Sequence, residues 1–304
     1  METLISILLF QGGYNTLLVL CSTIMLGITA ALAGSFVMLR KQALAADALS
    51  HATLPGIGLG FFLAFTLGWD GGRNLPTLLT GAALTALLAG LSIKWILSRT
   101  RLNQDVAIAS VLSVFYALGI VLFTIAQRFE GAAQAGLDSF LLGQAAGLSM
   151  EESLIIAIVA LIVLGFIVLF FRDFLLLSFD ATFAESIGRP VHRLDIFLTL
   201  LVLLIVCAGL KTVGLVLILA LLIIPSVTAR FWSDRLKPML VIAAFSGGLS
   251  CYVGAALSAA FENIPTGAAI VLCAFTLFSF SFFFSPRHGL LTTRFLQAGK
   301  AEKP

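Results

Sequence analysis

Nine apolar runs divide this chain, at about 16–39, 44–67, 76–97, 105–126, 151–171, 194–210, 212–229, 238–260 and 266–285. Most approach the roughly 20 residues that cross a hydrocarbon core as a helix. The composition agrees, with 60% hydrophobic and 11% charged residues against about 45–50% and 25% in soluble domains. The pattern predicts an all-α integral membrane protein, a polytopic bundle of 8–9 transmembrane helices. The two runs around 194–229 are short and separated only by Gly209, Leu210 and Lys211. A tight helical hairpin and a single span followed by a broken or re-entrant piece both fit them.

Assigning the connections alternately to the two faces gives a lopsided distribution of Lys and Arg. Arg73, Arg128 and Lys211 fall on one side; the other fifteen of the eighteen, Arg40, Lys41, Lys94, Arg189 and Arg193 among them, fall opposite. Cytoplasmic loops are enriched in both residue types, so the N-terminus is expected outside, with the C-terminus and the 172–193 connection inside. Trp69, Trp95 and Trp232 lie near predicted span ends, as an interfacial aromatic belt requires. The basic residues thus report orientation, and a net charge of +3 gives no footprint for nucleic acid. No Lys or Arg precedes Arg40, so the first apolar stretch lacks the basic flank of a signal peptide and is expected to be retained. Residues 1–286 read as one transmembrane domain and 287–304 as a solvated tail, with 128–150 as an outer loop holding a short interfacial or re-entrant helix.

Cys21, Cys207, Cys251 and Cys273 lie in apolar runs without CxxC spacing and read as buried small hydrophobes. An ionisable residue inside a span is costly and marks a place to look for function. The clearest are Asp47 and His51. Their spacing of four puts both side chains on one helical face, about 6 Å apart along the axis. A carboxylate oxygen with an imidazole nitrogen suits zinc, manganese or ferrous iron, and a lone pair of donors leaves the ion free to depart. The alternative is a structural pair, His51 bonding to Asp47 or to nearby backbone. Pro55 and Gly56 follow in the same run, where a kink would free carbonyls near the pair and a glycine would admit a neighbouring helix; simple packing is the plainer reading. Pro225 interrupts a later run in the same way, a packing kink by default with gating as the alternative.

The connection 179–190 reads as a short helix closed by Gly188 and Pro190, with Phe183 and Ile187 on one face. Such a helix suits docking to a soluble partner, or is an ordinary interfacial loop helix. Glu262, Asn263, Pro265 and Thr266 at a span end, with Asp138 and Ser139 in the outer loop, could line an entrance or simply be loop polarity. No GxxxxGK[ST] phosphate loop occurs, so any ATP hydrolysis must belong to another chain.

Met38–Lys41 followed by Ala46–Gly56 resembles the second-helix signature of the membrane permeases of ATP-binding-cassette importers for manganese, zinc and iron. Gly136–Gln144, Leu222–Arg230 and Pro265–Gly267 add to the likeness, which runs from about residue 16 to 285. The resemblance implies a type II importer permease, paired with a second permease subunit and coupled to an ABC ATPase. An extracytoplasmic metal-binding protein would deliver the metal, and the location would be the bacterial plasma membrane. It implies that Asp47 and His51 line the metal path between two permeases, with no permanently bound cofactor. Asp180, Phe183, Ala184, Glu185, Ile187 and Gly188 would form the helix that couples to the ATPase. Gly136–Gln144 is closer to the manganese and iron branch. An ion-coupled secondary carrier is the alternative; it calls for several midplane carboxylates, often in inverted repeats, where the spans here offer essentially one acid–imidazole pair. A membrane enzyme would need a constellation that His51, His192 and His288 do not assemble.

Overall fold

The computed structural model describes residues 13–69, 74–128, 143, 147–261, 264–286 and 289–290. The expected segment at 128–150, Asp138, Ser139, Glu262, Asn263, His288 and most of the 287–304 tail therefore lie outside the described residues, apart from a few positions at the segment edges. Twelve helices occur among the described residues: α1 (Tyr14–Leu39), α2 (Ala43–His51), α3 (Thr53–Thr66), α4 (Leu75–Arg99), α5 (Gln104–Ala126), α6 (Met150–Leu169), α7 (Phe171–Phe179), α8 (Ala181–Ser186), α9 (Val191–Val213), α10 (Leu215–Trp232), α11 (Leu236–Ala260) and α12 (Thr266–Phe284). Nine stretches are long and apolar enough to span, α2 and α3 together supplying one of them, Ala43–Thr66.

The ambiguity at 194–229 resolves into two spanning helices. α9 runs on to Val213, and Gly214 at φ 78° is the single residue before α10 begins. The three residues that divide the apolar runs are thus inside α9, its last turns carrying Lys211 without a break.

α1 is the hub, packing against α6, α9, α10 and α11, while α3 packs against α4 and α5. α9 joins the two groups through contacts with α1, α4 and α6. The core includes Phe36, Phe61, Phe174, Leu198 and Ile205. Large apolar side chains such as Leu84, Leu161 and Phe245 point outward, as lipid solvent allows. Cys21 also faces outward, not inward as its type led one to expect, because that position of α1 lies off the packed face; Cys251 alone of the four is fully buried.

Polar groups inside the bundle are satisfied locally. Ser35 donates to the Ala31 carbonyl, and Ser226 lies within bonding distance of the carbonyls of both Ala31 and Leu222, pinning α10 to α1 beside the buried Pro225. Pro225 has no N–H for the carbonyl four residues back, and Ser226 ties this stretch to α1.

Candidate metal site and docking helix

Asp47 and His51 both fall in α2, as their spacing predicts, and the His51 Nε2 lies 3.4 Å from an Asp47 oxygen. Neither is sealed: the side chains are 34% and 24% exposed. The imidazole meets the ring of Tyr116 of α5 in a T-shaped contact, ring centroids 5.0 Å apart and planes at 81°. The His51 Nδ1 is buried without a hydrogen-bond partner. A buried polar atom left unsatisfied is costly and calls for an explanation, and here the unpaired nitrogen and the neighbouring carboxylate are both metal-donor types. No group of three or more His, Cys, Asp or Glu that could hold a metal occurs among the described residues. Asp47 and His51 thus bring together two groups of donor type.

Directly after His51 the helix breaks. Ala52 stands alone between α2 and α3, with the Thr53 hydroxyl donating to the Ser50 carbonyl at 2.6 Å. Pro55 lies in the first turn of α3, where it lacks the N–H that would bond the carbonyl four residues earlier, that of His51. Ala52 keeps right-handed helical angles (φ −71°, ψ −9°), so the interruption next to the pair is confined to one residue. Gly56 faces α4 so closely that an added Cβ would overlap the Gly81 carbonyl, which supports the close-approach reading of that glycine.

At the Lys/Arg-rich end, α8 forms within the stretch expected to be helical. Asp180 caps it, accepting from the Phe183 amide at 2.9 Å and from the Thr182 hydroxyl at 2.6 Å. These bonds, the Thr182 one foremost, hold the Asp180 carboxyl below its ordinary value. At the other end the amides of Gly188 and Arg189 bond the carbonyls of Glu185 and Ala184, a Schellman closure that needs the positive φ of 79° at Gly188. Ala184 is buried, whereas Phe183 and Ile187 are 51% and 50% exposed. Glu185 is exposed as well. Arg189 reaches back to Asp173 of α7 at 3.2 Å.

Two carboxylates escaped the sequence reading. Asp195, near the start of α9, lies 2.7 Å from an Arg40 Nη and 2.9 Å from the Lys94 Nζ. It stands at the edge of an apolar run, where the pattern gave no reason to single it out; the signal was the density of basic residues assigned to the same face. Glu152 is buried in the first turn of α6, closing a capping box with Ser149. Thr266, for which entrance lining and loop polarity were the two readings, bonds Ser258 across the turn between α11 and α12.

Residues 14–285 match the ABC 3 transport family. The chain belongs to that family. It is 42% identical over 276 residues to the manganese transport system membrane protein MntC of Bacillus subtilis, covering 91% of this chain and 62% of that one. It thus spans 62% of the length of that relative. Against the zinc transport system membrane protein TroC of Treponema pallidum it is 35% identical over 280 residues, 92% of each. The solved structure of PsaBC from Streptococcus pneumoniae in complex with a Fab superposes with a TM-score of 0.80 at 31% identity, over 96% of this chain and 99% of that one. The family likeness expected from the motifs around Asp47 therefore holds, and with it the multi-pass helical permease fold.

Proposed function

We propose that this chain is the permease of an ATP-driven importer that moves manganese, zinc or iron into the cytoplasm of a bacterium across its plasma membrane. ATP is hydrolysed by a separate ABC ATPase subunit, and an extracytoplasmic binding protein delivers the metal. The observation that carries this reading is the Asp47–His51 pair, its Nε2 facing the carboxylate, in a family whose relatives include manganese and zinc transport proteins. Two donors on a partly exposed face bind a divalent ion without trapping it. A second permease subunit, identical or a paralogue, completes the path from its own face. The break at Ala52 and Pro55 lets α2 shift relative to α3 as access alternates.

On this reading the Lys/Arg-rich end is cytoplasmic, and α8 is the helix that meets the ATPase. Its exposed Phe183 and Ile187 supply the apolar contact, and its two caps keep it formed while force passes through it. Asp180 has a lowered folded-state pKa. Its capping contribution is therefore complete above the unfolded value of about 3.9 and is lost only as pH falls through the depressed one. Docking should accordingly show no Asp180-dependent change between about pH 5 and 8.

Replacing Ile187 with Asp places a charge in the docking face without touching the spans, and Gly188→Pro removes the positive φ that closes α8. Either change is expected to lower co-purification of the ATPase, or the metal moved per ATP, by at least about 10-fold, a loss of the size that follows from removing a buried interface anchor. Normal co-purification together with normal transport per ATP would show that α8 is an ordinary loop helix.

A further inference from the structure

Asp195 belongs to neither the metal pair nor α8, yet it lies between them in the chain of contacts. Its carboxylate meets Arg40 at 2.7 Å, Lys94 at 2.9 Å and the amide of Gln42, which donates at 3.2 Å. The three ion-paired side chains are largely shielded, 14–26% exposed. Charges in such a place are costly unless paired, so the cluster holds three elements together: the α1–α2 turn, α4 and α9.

The turn is itself unusual. It closes α1 through bonds from the amides of Lys41 and Gln42 to the carbonyls of Met38 and Val37, with Lys41 at φ 56°. That region is sparsely populated by non-glycine residues and persists only where the surroundings impose it. Here the closure itself calls for that φ, as at Gly188, and Arg40 and Gln42, on either side of Lys41, tie the turn to Asp195. The turn leads directly into α2, five residues before Asp47.

At its other end Asp195 is tied to the docking helix. Only Ile187–Pro190 separate α8 from α9, and these residues are fixed by the Schellman closure, by the bond from the Leu194 amide to Pro190 and by the Arg189–Asp173 pair. Little slack remains for α8 to move without the first turns of α9. A cavity of about 170 Å³ adjoins the cluster, lined by Arg40, Gln42, Lys94 and Asp195 together with Gln104. It leaves space beside the ion pairs, and a coupling element needs space for a second arrangement.

We propose that Asp195 is a positioning residue for transport, transmitting displacement of α8 through Arg40 and Gln42 to α2 and so to Asp47 and His51. The proposal rests on the reading of α8 and of the metal pair given above. The test is Asp195→Asn in the complete importer reconstituted in liposomes, with labelled manganese uptake and ATP hydrolysis measured on the same preparation. The expected result is hydrolysis close to that of the unaltered complex but a fall of at least about 5-fold in metal moved per ATP, the lower end of a typical coupling between sites. Asp195→Glu, which keeps both oxygens, is expected to restore most of the ratio.

An unchanged ratio in Asp195→Asn overturns the proposal, as does a proportional loss of hydrolysis and uptake, which is what a merely structural carboxylate produces. Should Asp195→Asn fail to assemble, Gln42→Leu decides: it leaves both ion pairs in place but removes one of the two links from Asp195 to α2, and a lowered ratio supports the proposal while an unchanged one overturns it. Asp47→Ala and Ile187→Asp are run alongside. If Asp47→Ala transports normally or Ile187→Asp couples normally, the underlying reading has failed; if both are defective and Asp195→Asn is normal, the proposal fails alone.

Discussion

Asp47→Ala and His51→Ala are each expected to lower metal uptake by at least about 10- to 100-fold, since even groups that merely support a ligand carry effects of that size. Assembly should survive, because both side chains are partly exposed and neither fills the core. The double variant should be little worse than either single one, as two donors to one ion act as a unit. Uptake measured beside the yield of ATPase-bound permease separates the readings. Normal uptake in both variants would leave the pair a structural contact, with His51 held by Asp47 and Tyr116 for packing alone.

The second large effect concerns how closely α3 and α4 approach. A Cβ at Gly56 would overlap the Gly81 carbonyl, and backbone cannot step aside as a side chain end can. Gly56→Ala should cost about 1–3 kcal/mol by overpacking, and Gly56→Leu should abolish folded protein. Gly165 of α6 is the control: nothing lies within 4 Å of its added Cβ, so Gly165→Ala should be neutral, or stabilising by about 0.5–1 kcal/mol from the lost chain entropy. Thermal unfolding of the detergent-purified permease measures both. Equal stability of Gly56→Ala and Gly165→Ala would contradict the packing described for α3.

The spans were legible because a lipid-facing helix needs no alternation and betrays itself as a long apolar run; α1 and α11 needed nothing more. Asp47 and His51 were legible for a related reason, since polar side chains four apart stand out in such a run. What the pattern could not give was the course of the chain around Gly214. A polar Lys211 reads as a loop although the helix continues through it and turns one residue after its end. Nor could it reveal Asp195, whose meaning depends on Arg40 and Lys94 arriving from helices far off in sequence. Spacing shows which residues share a helix face, and only packing shows which faces meet.

On the function proposed above, this chain moves metal only when an ATPase drives it. The most direct measurement is uptake of labelled manganese and zinc into liposomes holding the permease alone or with its cognate ATPase and binding protein, with and without ATP. Uptake confined to the complete complex in the presence of ATP is the predicted result. Uptake by the permease alone, driven by a proton or sodium gradient, would contradict it and make the chain a secondary carrier.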